Sequence, residues 1–237
     1  MTELFTKDTL LGGQVRLRQP RTGFRASSGN LMLPGSIDSV LLAAAIPAAS
    51  GDTVFEPGTG VGSVSLCLAR RIEGVRVVGI ELQPDLVRLS IDNARLNGLG
   101  DCFDVVVGDI VHPPLRIEPG GFSHVMMNPP HTEGESSLTI WLRSGLRLLT
   151  RRGTLTIIHR ADRLIEILTL LHSNAGEIVV FPLWSTAAAG AANRVIVRAR
   201  KEMRTPFRLT SGMVLHTNDG AFTDQTAAIL RGAELEI

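Results

Sequence analysis

From residue 53 onward, short apolar runs alternate with segments of helical periodicity. The first four runs are typical of strands buried on both faces of a sheet, namely TVFEP, VRVVGIE, FDVVVGD and FSHVMMN. Two segments between these runs place their apolar residues on one side of a helix, GSVSLCLARRI and PDLVRLSIDNARLNG. The same alternation continues with SSLTIWLRSGLRLLT, TLTIIHR, ADRLIEILTLLH, EIVVFPL and NRVIVRAR.

This alternation of strands and helices predicts an α/β fold with a Rossmann-like, doubly wound sheet of seven strands. The last two strands are joined by WSTAAAGAA, which is too short and too rich in Gly and Ala for a crossover helix. We therefore expect the last strand to run antiparallel to its neighbours. We expect one domain over residues 1–237, with 1–50 as an N-terminal extension and 200–237 as a C-terminal segment packed on it.

The composition fits a soluble globular protein, because 44% of the 237 residues are hydrophobic and 20% are charged. The two cysteines, Cys67 and Cys102, do not have the spacing of a disulfide framework or a metal site. We see no signal peptide and no apolar stretch long enough to span a membrane. The sequence therefore predicts a cytoplasmic protein with no membrane partner and no bound metal.

The net charge of +1 neither requires nor excludes a nucleic-acid partner, but the arginines are unevenly distributed. One group lies near the start and another near the end: Arg16, Arg18, Arg21 and Arg25, then Arg194, Arg198, Arg200, Lys201, Arg204 and Arg208. Such groups are either solvated surfaces or contacts to phosphates, and the sequence leaves both interpretations open.

The segment EPGTGVG, residues 56–62, lies between the first strand of this series and its helix. Gly58, Gly60 and Gly62 permit a tight turn that lets a ligand approach backbone amides at a helix N-terminus. Their spacing differs from the G-x-G-x-x-G of dinucleotide sites, which disfavours an NAD-dependent oxidoreductase. Glu56, two residues before the first glycine, suits a ligand that carries an ammonium group. A purely structural glycine turn is the alternative.

Two further acids follow the next two strands. Glu81 lies 81 − 62 = 19 residues beyond Gly62, where an acid can bind the ribose hydroxyls of an adenosine group. Asp109 ends the third strand, although a capping or turn role would explain either acid. Taken together, the acids at successive strand ends and the glycine loop favour S-adenosylmethionine as the cofactor.

The fourth strand ends in a rigid corner formed by Asn128, Pro129 and Pro130, with His131 next. The lone pair of a conjugated exocyclic amine is delocalised, so such an amine is a poor nucleophile. The Asn128 side-chain oxygen and a proline carbonyl can accept hydrogen bonds from that amine and aim its lone pair at a methyl donor. We therefore predict catalytic roles for these residues, with a plain surface turn as the alternative for His131.

At this point the chain resembles class I methyltransferases of the "methyltransferase small" group, from about Leu10 to about Arg200. It is most similar to the bacterial enzymes that methylate adenine N6 beside the anticodon of a valine tRNA. The segment LPGSIDSVLLAAAIP also matches, and this resemblance implies a cofactor-side role for Asp38. An acid favoured by the helix dipole is the alternative for Asp38. The sequence departs from the family at His131, where relatives have an aromatic that stacks on the target base.

The resemblance implies methyl transfer from S-adenosylmethionine to an exocyclic amine of an RNA base, with a tRNA as the expected partner. The N-P-P-H-T-E-G string also resembles that of ribosomal guanine-N2 methyltransferases, and NPP corners occur in protein glutamine-N5 methyltransferases. A cofactor-binding RNA chaperone without turnover is the non-enzymatic alternative. The sequence carries no signal for an oligomeric state.

Overall fold

The computed structural model describes residues 5–20, 24–25, 31–32, 37–130, 135–204 and 206–237. Its strands are β1 (Phe5–Leu10), β2 (Val15–Pro20), β3 (Phe24–Arg25), β4 (Leu31–Met32), β5 (Thr53–Pro57), β6 (Arg76–Glu81), β7 (Phe103–Val107), β8 (Phe122–Met127), β9 (Leu149–Arg160), β10 (Ala175–Thr186), β11 (Arg194–Lys201), β12 (Arg208–Leu209) and β13 (Met213–His216). Its helices are α1 (Ile37–Ala44), α2 (Ser63–Arg71), α3 (Pro84–Leu96), α4 (Glu135–Leu148), α5 (Leu164–Asn174) and α6 (Asp224–Leu230).

The central sheet confirms the predicted α/β class. Its strand order is β12-β10-β11-β9-β8-β5-β6-β7, and β13 also pairs with β10. Strand β11 is antiparallel to both β9 and β10, as the short linker before it predicted. The short strands β12 and β13 add to the seven predicted strands by pairing in parallel with β10. They were not predicted, because strands of two and four residues carry no readable alternation.

Helices cover both faces of this sheet and enclose two main cores. The core on one face contains buried residues of α1, α2, α3 and α6, such as Leu41 and Leu66. The core on the other face contains buried residues of α4 and α5, such as Leu142 and Leu171. Both faces are thus apolar, which explains why the central strands read as continuous apolar runs.

The N-terminal hairpin of β1 and β2 is attached to α3 by two asparagines. The Asn93 side chain accepts a 2.8 Å hydrogen bond from Arg18 N and donates one of 3.0 Å to Arg18 O. Asn97, one helical turn later, makes the same pair of bonds with Arg16 at 2.8 Å and 2.7 Å. The two carboxamides therefore pair with β2 much as a neighbouring strand would. That both ends of the chain belong to one domain stays a prediction.

Element bounds differ from the sequence expectation mainly around α5 and β9. Residues 161–163 form a single 3-10 turn, so α5 begins at Leu164. Strand β9 begins at Leu149, directly after α4, and is longer than the apolar run that predicted it. Strand β11 pairs only with Thr154–Arg160, the predicted run, whereas the added part of β9 pairs with β8 through Leu149 and Phe122. Among the described residues, no helix is long and apolar enough to cross a membrane.

Candidate active site

The carboxyl ends of four parallel strands gather the polar residues that the sequence singled out. Glu56, Glu81 and Asn128 lie at the ends of β5, β6 and β8, and Asp109 follows β7. Strand β5 pairs in parallel with both β6 and β8, with Phe55 opposite Val78 on one side and Val125 on the other. The candidate residues therefore share one edge of the sheet, which is where open α/β sheets bind ligands.

The glycine loop adopts backbone angles that favour glycine. Gly58, Gly60 and Gly62 have φ of 65°, 57° and 88°. A Cβ on Gly58 would also lie 2.5 Å from Cη2 of Trp141, which packs over the loop from α4. A Cβ on Gly60 would meet no atom within 4 Å, so this side of the loop faces open space. The loop is closed where α4 covers it and open at Gly60, where a ligand can approach its backbone.

Backbone bonds to β6 fix the position of this loop. The amides of Gly58 and Thr59 both donate to Ile80 O, at 2.8 Å and 3.1 Å. The Thr59 hydroxyl donates to Glu56 O at 3.1 Å. A Cβ on Gly79 would lie 2.2 Å from that hydroxyl oxygen, so the loop and β6 approach closely only because residue 79 is glycine.

Glu81 is buried, with 7% of its surface exposed, and its carboxylate is held by two backbone amides. Gly60 N donates to Oε2 at 2.9 Å, and Gln83 N donates to Oε1 at 3.0 Å. A carboxylate oxygen can accept two hydrogen bonds, so each oxygen keeps the capacity for one more. The two amides orient the Glu81 carboxylate and leave it able to accept hydrogen bonds from two hydroxyl groups.

Glu56 is buried beneath the loop, with 3% exposed, and accepts a hydrogen bond from Ser65 Oγ of α2. Burial raises the pKa of Glu56 to about 8; the Ser65 hydrogen bonds oppose this, and the nearby charge of Glu81 adds to it. A cationic group beside this carboxyl would favour its ionised form. A buried acid of this kind is compatible with an ammonium-bearing ligand, and the binding role of Glu56 stays a prediction.

Asp109 is exposed and forms the turn that follows β7. Its Oδ1 accepts from Val111 N at 2.9 Å, and its backbone carbonyl accepts from His112 N at 3.1 Å. These bonds use one of its four carboxylate lone pairs. The turn role that the sequence allowed is present, and it leaves the carboxylate free for a further ligand.

Asn128 follows the last residue of β8 and is partly exposed, with Pro129 buried behind it. Its carboxamide makes no hydrogen bond to the residues that the structure describes. Helix α4 packs closely against the last residue of β8, since a Cβ on Gly145 would lie 2.0 Å from the Met127 methyl. This packing supports the corner. His131 lies outside the described residues, so its stacking role stays a prediction.

Asp38, in the first turn of α1, forms an ion pair with Arg194 at the start of β11. Arg194 Nε lies 3.2 Å from Asp38 Oδ2, and the Asp38 side chain is 14% exposed. Because β11 runs antiparallel, its first residue lies at the same sheet edge as Glu56 and Glu81. Asp38 is therefore at the predicted edge but is already paired with a cation.

The C-terminal arginine group of the sequence is divided between the two ends of the sheet. Strand β11 carries Arg194 to the carboxyl edge of the parallel strands, while Arg198 and Arg200 lie toward the opposite edge. In the N-terminal group, Arg16 donates to Leu96 O at the C-terminal end of α3, at 2.7 Å. Arg21 and the side chain of Arg25 are outside what the structure describes.

Three residues of the site were missed by the sequence interpretation. Ser65 holds Glu56, Trp141 packs on the loop, and Asn93 donates a 3.0 Å hydrogen bond to Val61 O. Trp141 reads as part of the apolar periodicity of its helix, and Ser65 and Asn93 read as ordinary polar positions of theirs, so no separate signal marked any of the three. Among the described residues, no group of His, Cys, Asp or Glu has the arrangement of a metal site.

Comparison with known proteins agrees with this geometry. A sequence model described as the TRM5/TYW2 methyltransferase domain matches residues 43–160. The chain is 25% identical over 233 residues to a tRNA1(Val) (adenine(37)-N6)-methyltransferase of Shewanella sp. (strain MR-7), covering 90% of this chain and 97% of that one. It is 27% identical over 92 residues, or 38% of this chain and 31% of the relative, to a release factor glutamine methyltransferase of Chlorobaculum tepidum.

Among solved structures, a predicted O-methyltransferase from Agrobacterium tumefaciens superposes with a TM-score of 0.77. The match covers 84% of this chain and 99% of that chain at 21% sequence identity, so it shows a shared fold. The cofactor-side geometry, the matching domain and the shared fold all point to the same enzyme class.

Proposed function

Because this chain is an S-adenosylmethionine-dependent methyltransferase with the class I fold, we propose that it methylates an exocyclic amine of an RNA base. Adenine N6 of a tRNA is the target best supported, since the similarity to the Shewanella enzyme extends over 90% of the chain. The observation that carries the proposal is the corner after β8, where the half-buried Asn128 has a carboxamide without a hydrogen-bond partner among the described residues, beside the cofactor loop. A tRNA substrate also implies a cytoplasmic location.

The described residues fit the cofactor. The open side of Gly60 admits a ligand against the loop, and Glu81 can accept hydrogen bonds from two ribose hydroxyls. Leu82, 54% exposed directly after Glu81, offers an apolar surface to a purine ring. The other proposed cofactor-binding residues are Glu56, Gly58, Gly62 and Asp109. Asp38 is proposed to act at the edge of the cofactor site through its ion pair with Arg194. When bound, S-adenosylmethionine supplies a methyl group that is already activated on a sulfonium.

Asn128 is proposed to prepare the acceptor amine. Its side-chain oxygen accepts one N–H of the amine, and the Pro129 carbonyl accepts the other. Both bonds draw the nitrogen lone pair out of conjugation and hold it in line with the methyl group. The amine proton that is lost passes to water after the transfer. Because the methyl group arrives activated, the chain needs only to orient the amine and exclude competing nucleophiles.

Pro129 and Pro130 are proposed to act by rigidity. Two fixed φ angles after Asn128 prevent the corner from relaxing away from the acceptor. His131 is proposed, from the sequence, to stack on the target base in place of the aromatic of related enzymes. A flipped base would enter between this corner and the loop beneath Trp141.

Protein glutamine is a second candidate acceptor, favoured by the partial similarity to the release factor enzyme. Its amide nitrogen is as poor a nucleophile as an exocyclic base amine and would use the same corner. Guanine N2 of a ribosomal RNA is a third acceptor of the same chemistry. All three place an sp² nitrogen at Asn128, so the substrate must be identified by experiment.

The proposal is tested by comparing methylated nucleosides from a strain lacking the gene with those of its parent. Mass spectrometry of digested tRNA and rRNA should show that N6-methyladenosine is lost from tRNA and restored by the intact gene. The control is a complementing gene that carries Asn128→Ala, which should not restore it. The proposal would be contradicted if N2-methylguanosine were lost from rRNA instead. It would also be contradicted if the nucleosides were unchanged and a methylated protein glutamine were lost.

A further inference from the structure

A second polar surface lies at the end of the sheet opposite Asn128. It is a groove of about 560 Å³ whose lining includes His124, Thr154, Arg198, Arg200 and Arg208. His124 is near the start of β8, whereas Asn128 follows its end. Four residues of strand separate them, or about 13 Å at the usual rise. The groove is therefore distinct from the candidate active site and is not used by the proposed chemistry.

Positive charge dominates this groove. Arg198, Arg200 and Arg208 line it, and the acid among the described lining residues is Glu177, which accepts from Arg200 Nη1 at 3.1 Å. Burial and the neighbouring positive charges of Arg208 and Arg200 lower the pKa of Arg198, while Glu177 opposes this. Guanidinium groups held close together in a partly buried groove are stabilised by an anion, and their planar donors match a phosphate.

An exposed aromatic adjoins these arginines. Phe207 is 50% exposed and Leu209 is 66% exposed, on either side of Arg208. Pro206 lines both the groove and a second cavity of about 790 Å³, whose lining also includes Phe207 and Arg204. A free phosphate would gain nothing from Phe207. A nucleotide strand would, because bases stack on aromatic side chains while arginines bind the phosphates between them.

We propose that Arg198, Arg200, Arg208 and Phe207 form a distal RNA surface, which binds nucleotides of the substrate away from the methylated base. This inference rests on the proposed function, because it takes the substrate to be an RNA. Strand β12, which carries Arg208, lies four strands from β8 in the sheet, or about 19 Å at the usual strand spacing. Roughly six stacked nucleotides at 3.4 Å each span this distance, so one RNA can reach both the corner and the groove. The surface therefore contributes to RNA affinity and selection, and not to the methyl-transfer step.

Two substitutions on the exposed segment test this surface. Arg208→Glu should weaken the binding of a full-length tRNA transcript at least tenfold in a filter assay and lower its salt dependence. Phe207→Ala should weaken it by about tenfold, the scale of one stacked base, with little change in salt dependence. Both side chains are largely exposed, and Arg208 has no hydrogen bond to the described residues, so the fold should persist.

The matched control is Arg95→Glu, which changes charge equally on an exposed arginine of α3, beside the far edge of the sheet. It should leave RNA affinity unchanged. With saturating tRNA, single-turnover methylation by Arg208→Glu and Phe207→Ala should equal that of the wild type, since only affinity is altered.

The outcomes separate this surface from the proposed function. If the wild type binds S-adenosylmethionine but neither binds nor methylates any RNA, the proposed function fails and the surface fails with it. If the wild type methylates tRNA and both variants bind it as Arg95→Glu does, the distal RNA surface alone is overturned. Inorganic phosphate that stabilises the wild type and not Arg208→Glu, with RNA affinity unchanged, would assign the groove to a free phosphate and also overturn it.

Discussion

The backbone amide of Gly60 donates a 2.9 Å hydrogen bond to Oε2 of Glu81. This bond joins the glycine loop after β5 to the acid at the end of β6, across 21 positions of sequence. The loop thus orients the carboxylate that is proposed to hold the cofactor ribose, and the carboxylate in turn fixes the open side of the loop. Substitutions on either side of this bond should therefore affect cofactor binding together.

Replacing Glu81 with Ala should weaken the binding of S-adenosylhomocysteine by about 1–3 kcal/mol. The loss has two sources, because the ribose loses its acceptor and the Gly60 amide loses its buried partner. Glu81→Gln should be milder, since its carbonyl oxygen can still accept from one amide. Isothermal titration calorimetry measures the affinity of both variants. The control is Glu73→Ala, which removes an exposed acid. Unchanged affinity in Glu81→Ala would remove the ribose role.

Gly58→Ala and Gly60→Ala should differ in what they damage. Both place a side chain at a left-handed φ, at about 1–2 kcal/mol each. Gly58→Ala also forces a Cβ to within 2.5 Å of Trp141, so it should lower thermal stability more. Gly60→Ala projects into open space, so it should retain more stability but lose cofactor affinity. Thermal unfolding with and without S-adenosylhomocysteine distinguishes them, and an equal loss of stability in both would contradict this assignment.

The stability of the ligand-free protein should depend on the protonation of Glu56. Its pKa is raised from 4.5 to about 8 in the folded state, so the folded state holds this proton more tightly than the unfolded state. The resulting stability is fully present below about pH 4.5 and is lost as the pH rises through about 8, by up to about 1.4 kcal/mol per pH unit.

Glu56→Gln should abolish that dependence. Urea unfolding of both proteins across this pH range isolates it, because all other titrating groups are shared. Parallel stability curves for the two proteins would show that Glu56 ionises normally in the folded state.

Most of the fold could be predicted because the parallel strands are buried on both faces and so read as continuous apolar runs. The antiparallel β11 could be predicted from the short linker before it. The pairing of Asn93 and Asn97 with β2 could not, since two asparagines on a helix also read as solvated polar positions. The hydrogen bond from Ser65 to Glu56 could not be predicted either, because only the fold brings the two side chains together.

The basic residues near the C-terminus show a second limit of the sequence. Arg194 and Arg198 are four positions apart, yet β11 places one in an ion pair with Asp38 and the other in the distal groove. Spacing along the chain does not show which residue of a strand lies at the candidate active site. The direction of the strand within the sheet decides this, and it depends on tertiary pairing.

Asn93→Ala should destabilise the protein by about 2 kcal/mol or more, because it leaves the partly buried backbone groups of Arg18 and the buried carbonyl of Val61 without partners. Since Val61 belongs to the glycine loop, cofactor affinity should fall as well. The control is Asn174→Ala, an exposed helical asparagine with one local hydrogen bond, which should change stability by less than about 0.5 kcal/mol. Urea unfolding measures both, and equal effects would contradict the anchoring role of Asn93.

The central claim is that Asn128 positions an acceptor amine for methyl transfer, and a single-turnover assay of Asn128→Ala with saturating tRNA tests it most directly. Thermal stability and S-adenosylhomocysteine affinity should match the wild type, because β8 and both prolines remain. The rate of N6-methyladenosine formation should fall at least about a hundredfold, the scale for one lost transition-state hydrogen bond. An Asn128→Ala protein that methylates tRNA at the wild-type rate would show that the corner after β8 is only a turn.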